Sequence, residues 1–236
     1  MGLTGLTYHD VNAVFSNPAG LSSLQTAAAT AFGEQRFLVD ALGVYAFGLG
    51  LPTSAGTFGV SVQHFGFEGY NEQRFGLAYG RQLSDKLSIG AQFLGLNTQI
   101  AEYGSRFVLT FEAGMQVQLL PELELAAHIN SPARIEVVDG QYLPTLLSIG
   151  ARYNPSKQVS LLLEAQKDID HPVRTKVGVE YQVAAPFYLR FGAATNPAMV
   201  TLGIGYKIAD RLLFDVASGY HEILGFSPAG GIRYQF

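Results

Sequence analysis

The sequence predicts an all-β protein, an antiparallel up-and-down β-barrel of about fourteen strands that crosses a membrane, with a short N-terminal segment set apart from it. Three observations carry this reading. Apolar residues recur at every second position through run after run of the chain, which is the period of a strand with two unlike faces. The positions between them hold glycine, alanine, glutamine and threonine more often than charge. Tight connections alternate along the chain with generally longer ones, as in outer-membrane barrels with one trimmed and one elaborated end.

The alternation is clearest in four places. Phe75, Leu77 and Tyr79 oppose Arg74, Gly76, Ala78 and Gly80; Phe107, Leu109, Phe111, Ala113, Met115, Val117 and Leu119 oppose Val108, Thr110, Glu112, Gly114, Gln116 and Gln118. Val177, Val179, Tyr181 and Val183 then oppose Lys176, Gly178, Glu180 and Gln182, and Val200, Leu202, Ile204 and Tyr206 oppose Thr201, Gly203, Gly205 and Lys207. Taken in order, the strands are 26–35, 40–51, 55–66, 72–83, 86–98, 105–120, 122–131, 143–154, 157–167, 172–184, 186–195, 198–208, 211–220 and 228–236. The first is the weakest, because Ala27 to Ala31 hardly alternates. Turns are expected at Leu51-Pro52-Thr53, Ser84-Asp85-Lys86, Leu120-Pro121-Glu122, Asn154-Pro155-Ser156, Ala184-Ala185-Pro186 and Ala209-Asp210-Arg211. The longer links run over 66–71, 99–105, 130–143, 167–171, 195–197 and 220–227, and with both termini on the inner side they fall outside.

Composition excludes several alternatives. Only 14 % of the 236 residues are charged and 27 are glycine, against roughly a quarter charged in an average soluble domain. Disorder, coiled coils and collagen are therefore out. The apolar residues never gather into the run of about twenty that a spanning helix needs. A soluble β-sandwich or lipocalin-like barrel also alternates, but it covers its outer face with charge; here the polar face is too sparse for that. A net charge of −4 gives no footprint for nucleic acid. The absence of cysteine removes disulfides, thiolate metal sites and a cysteine nucleophile. Met1 is not followed by the basic, apolar and cleavage regions of a secretory signal; a signal cut away before this numbering would leave no trace.

The inward positions carry Arg74, Glu112, Arg152, Glu164, Lys176, Glu180, Arg190, Lys207, Asp215 and Arg233. Charges of both signs can line a solute path or pair to stiffen a closed interior, and the second is favoured because an unpaired buried charge is costly. His9, His64, His128, His171 and His221 are scattered without metal-ligand spacing, so no metal and no cofactor are expected. His221-Glu222 and His171 beside Asp170 lie in outer loops, but no serine motif accompanies them and no enzyme is expected. Ile223, Leu224, Gly225, Phe226 and Ser227, with Ile135, Val137 and Val138, form apolar outer loops that either meet a partner or ligand or fold inward over the lumen.

The two ends carry a resemblance. The chain finishes on Ile232, Tyr234 and Phe236 at outward positions, similar to the terminal signal that outer-membrane barrels present to their assembly machinery. Near the start, Asn17-Pro18-Ala19-Gly20-Leu21 follows a stretch of small residues and resembles the N-terminal part of FadL-type barrels and the related PorV/PorQ group. That resemblance implies fourteen strands forming 26–236, with residues 1–25 folded into the lumen as a hatch. It also implies residence in the outer membrane of a Gram-negative bacterium, with the bilayer as partner. Outer loops too short to build a funnel for greasy ligands turn the expectation toward a non-enzymatic subunit of a larger envelope assembly. This would be of the PorV-like type IX protein-secretion kind, bound to a larger outer-membrane protein or to secreted cargo. The alternative is a FadL-like passive channel for hydrophobic small molecules.

Overall fold

The computed structural model describes residues 4–133, 135–138, 141–169, 171–209 and 211–236. The strands are β1 (Ala28–Gln35), β2 (Gly43–Thr53), β3 (Gly56–Phe67), β4 (Tyr70–Ser84), β5 (Leu87–Ile100), β6 (Gly104–Leu120) and β7 (Leu123–Asn130). After a small ribbon of β8 (Glu136–Val138) and β9 (Gln141–Tyr142) come β10 (Leu146–Ser156), β11 (Val159–Asp168), β12 (Arg174–Ala184), β13 (Phe187–Ala194), β14 (Met199–Ile208), β15 (Leu212–His221) and β16 (Gly225–Gln235). Apart from the ribbon, each strand pairs antiparallel with its neighbours in sequence, and β1 pairs with β16 to close a fourteen-strand barrel. The closing register runs from Ala28 opposite Gln235 to Glu34 opposite Ala229.

Side-chain direction follows the alternation read from the sequence. Outward Phe93 and Leu202 are 73 % and 63 % exposed, whereas inward Gln92 and Thr110 are 2 % and 5 % exposed. A surface this apolar is covered by hydrocarbon, and closure satisfies the backbone groups that lipid cannot. No described helix is long and apolar enough to cross a membrane; the crossing elements are strands. Fourteen is an even number, so both ends of the barrel chain emerge at the rim of the tight turns.

Several boundaries differ from the sequence expectation. Pro52 stays in β2, paired with Thr57, and the turn falls at 54–55. Pro155 likewise lies inside β10, at a register shift between Tyr153 and Ser156, with the turn at 157–158. A proline cannot donate to the ladder, and a strand tolerates it at such irregular or end positions. At the opposite rim only the connections over 36–42, 131–145 and 169–173 exceed four residues; 66–71 and 99–105 are mostly strand, because β3 to β6 run on past the expected ends. Gly225, Phe226 and Ser227 belong to β16 and not to a loop. Of the turn at Ala209-Asp210-Arg211, Asp210 lies outside the described residues, as do Asp170 and Met1 to Leu3.

Candidate functional site

Inside the barrel the inward faces are met by the chain's own first residues. Two 3-10 turns, Val11–Phe15 and Pro18–Ser23, are started by side-chain caps: Asp10 accepts from the Asn12 N–H at 2.8 Å and Asn17 from that of Ala19 at 3.2 Å. Pro18 suits the first helical position, where its missing N–H costs nothing. Asn17 is fully buried, and its Nδ2 donates to the Leu6 carbonyl at 3.0 Å and to that of Met115 on the wall at 3.3 Å. Val11, Ala13, Val14, Leu21 and Leu24 join Ala28 and Ala78 in one apolar cluster, with Tyr8 and Phe15 against it.

The wall makes room by omitting side chains. A Cβ at Gly90 would collide with Pro18 and the Ala19 nitrogen, and one at Gly114 with Asn17 Oδ1. At Gly59 and Gly80 it would sit 2.8 Å from Leu21 Cδ1 and 2.5 Å from the Pro18 carbonyl. Glycine here lets the segment lie directly against the wall, backbone to backbone at Gly80 and Gly90 and side chain to backbone at Gly59 and Gly114. The five-residue motif therefore rests on β3, β4, β5 and β6.

Polar side chains tie the segment down elsewhere. Glu164 accepts the Gly5 and Leu6 N–H groups at 2.5 and 2.7 Å and lies 3.7 Å from Lys176. Gln116 donates to the Leu6 and Tyr8 carbonyls at 2.9 and 3.1 Å. His9 meets Glu124 at 2.7 Å, Asp10 pairs with Arg233, and Thr30 donates to Asn12 at 2.8 Å. Burial pushes the Tyr8 phenol above its usual range. Of these anchors only Glu164, Lys176 and Arg233 stand out in the sequence. Glu124, Gln116 and Asp10 do not, because each partner lies about a hundred or more positions away.

The remaining inward charges form two groups. Glu112, 1 % exposed, is met by Arg74 at 2.9 Å and Asn130 at 2.5 Å, with His128 at 3.7 Å. Arg190 joins Glu180 at 2.6 Å and also pairs with Asp215. Next to this second group a cavity of about 450 Å³ opens between Tyr8, His9, Asp10 and Asn12 and the strands β10 and β12 to β16, with Arg152 and Lys207 also on its wall. The structure thus brings the ten inward charges together mostly as ion pairs.

Ile223 and Leu224 are 80 % and 52 % exposed and do not fold over the lumen, and Phe226 stacks on Tyr220 along the wall. Ile135 and the backbone of Val137 and Val138 belong to the 131–145 connection; the side chains of the two valines are outside the described residues. His221 accepts the Ile223 and Leu224 N–H groups at 3.1 and 3.2 Å, which makes it a loop cap, and His171 sits on Asp168 at 2.9 Å. Among the described residues no cluster of three or more His, Asp or Glu could hold a metal ion. At the C-terminus Ile232, Tyr234 and Phe236 face outward, with the two rings edge to face at 4.9 Å.

No family model matches the chain, and no curated protein matches it. Solved structures do. The toluene transporter TbuX of Ralstonia pickettii superposes with a TM-score of 0.75 at 13 % identity, over 100 % of this chain and 96 % of that one. CymD, a monoaromatic hydrocarbon channel, gives 0.73 at 12 %, over 99 % and 95 %. A FadL homologue of Pseudomonas aeruginosa gives 0.68 at 12 %, over 98 % and 95 %. The chain shares their fold.

Proposed function

We propose that the chain is a passive channel for hydrophobic small molecules in the outer membrane of a Gram-negative bacterium, held shut by its N-terminal segment acting as a hatch. The observation that carries this reading is the seating of residues 4–24 on a glycine-lined wall, in a barrel of the same fold as a toluene transporter and a monoaromatic hydrocarbon channel. An apolar solute would take the place of Val11, Val14, Leu21 and Leu24 against that wall as the segment shifts. The same likenesses favour a channel over the expected subunit role in type IX secretion, and they offer no support for the PorV/PorQ relationship in particular.

The test uses the absence of native cysteine. A Cβ at Gly48 would lie 2.9 Å from Val14 Cγ1, so Val14→Cys with Gly48→Cys puts two thiols within disulfide reach. In cells lacking their own hydrocarbon channels, toluene uptake is expected to require this protein. Uptake should fall to background when the pair is oxidised and return on reduction. Uptake unchanged by the lock would refute the hatch, and no uptake by the unlocked protein would refute the channel.

A further inference from the structure

We propose that the lipid-facing side of β3 to β5, at the outer border of the hydrocarbon, binds the sugar headgroups of outer-leaflet glycolipid through His64, Gln73 and Asn97. The pairing register lines these residues up. Tyr45 lies opposite His64, His64 opposite Gln73, Gln73 opposite Asn97, and Asn97 opposite Phe107, so five adjacent strands give one residue each to a single outward row. Two residues nearer the tight turns, the next outward row is Phe47, Val62, Phe75, Gly95 and Leu109, apolar throughout. On the other side, Gln99 pairs with Ser105, and both are exposed. The switch between rows marks where acyl chains end. Strand length agrees: β4, β5 and β6 have 15, 14 and 17 residues, against about 9–11 for a tilted crossing.

The flanking rings, Tyr45 and Phe107, are 59 % and 58 % exposed and belong to the aromatic girdle of a membrane barrel. Over the three strands between them that girdle is replaced by two amides and an imidazole. Among the described residues none of these three side chains has a hydrogen-bond partner within the protein. Such groups offer donors and acceptors together, which suits sugar hydroxyls. Phosphate would call for arginine or lysine, and the turns beside the row carry Glu68 and Glu102 instead. Glycolipid whose acyl chains cover the apolar row holds its sugars at the height of the polar one, so the contact continues the lipid interface.

This contact rests on the outer-membrane placement given above and is independent of transport. Native mass spectrometry of the whole protein in detergent tests it, with rough lipopolysaccharide as one probe and cardiolipin, which brings acyl chains and phosphates but no sugar, as the other. Lipopolysaccharide is expected to bind about tenfold tighter than cardiolipin. The triple variant His64→Leu, Gln73→Leu, Asn97→Leu should bring it down to the cardiolipin level and leave cardiolipin binding and toluene uptake unchanged. Heat-dependent gel migration checks that the variant is a folded barrel; Gln73→Leu and Asn97→Leu singly, each losing part of the preference, carry the test where the triple variant does not fold. Equal binding of the two lipids by the native protein, or a preference retained in folded variants, would overturn the assignment. A dimer that forms without glycolipid and is lost in the variants would overturn it too, by making a second copy the occupant.

Discussion

Glu112 illustrates how an inward charge is made tolerable at membrane depth. The residue is 1 % exposed, and Arg74 and Asn130 both donate to its Oε2, while Oε1 is buried without a partner. Removing one partner strands the other, so Arg74→Ala is expected to lower stability in urea by about 3–5 kcal/mol. Replacing both charges together, as R74M with E112M, should recover most of that loss. Unfolding in detergent micelles measures both; a single variant no worse than the double would show that the pair contributes little. Gly114 makes the opposite point, since its importance is the atom it lacks. In Gly114→Ala the added methyl meets Asn17 Oδ1, and overpacking of this kind costs about 1–3 kcal/mol. The cost falls on the segment and not on the β6 ladder. Proteolysis of the first two dozen residues should therefore speed up, and conductance across planar bilayers should rise, while the barrel keeps its heat-modifiable migration.

Among the elements, β4 exposes the lipid-facing logic most directly. Leu77 lies near the middle of the strand, points outward and is 66 % exposed, whereas Leu120 ends β6 at the tight-turn rim. Leu77→Arg is expected to cost about 2–4 kcal/mol when the protein folds into phospholipid vesicles, and Leu120→Arg about 0–1 kcal/mol. Equal penalties would place the two positions at the same depth and contradict the assigned belt. Strands such as β4 and β6 were legible because every second residue repeats one choice of solvent. Their ends were harder, since Pro52 and Pro155 look like turns but occupy strand positions that the ladder can spare. The long outer links were partly misread because Glu68-Gly69 alone suffices to join β3 to β4. The segment 4–24 was visible as a motif at Asn17 to Leu21, yet its fastening was not. No local pattern ties Gly5 to Glu164 or His9 to Glu124; the barrel's curvature does.

At the scale of the whole molecule, hairpin follows hairpin, and each strand finds its partner a short way along the chain. The exception is the seam where Ala28 meets Gln235 and Glu34 meets Ala229. Loop-closure entropy makes this contact the most demanding one, since all the intervening sequence must first be in place. A chain cut before Gly225 would leave β1 and β15 as two bare edges facing acyl chains, a state lipid penalises for each unsatisfied amide. Such truncated chains are expected to accumulate as protease-sensitive, heat-unmodifiable species or as adducts that borrow the missing strand from a second copy. A stable monomeric barrel from residues 1–224 would contradict this. The seam thus acts as a completeness check: insertion cannot finish on a partial polypeptide, and quality control of this protein is written into the distance between its two outermost strands.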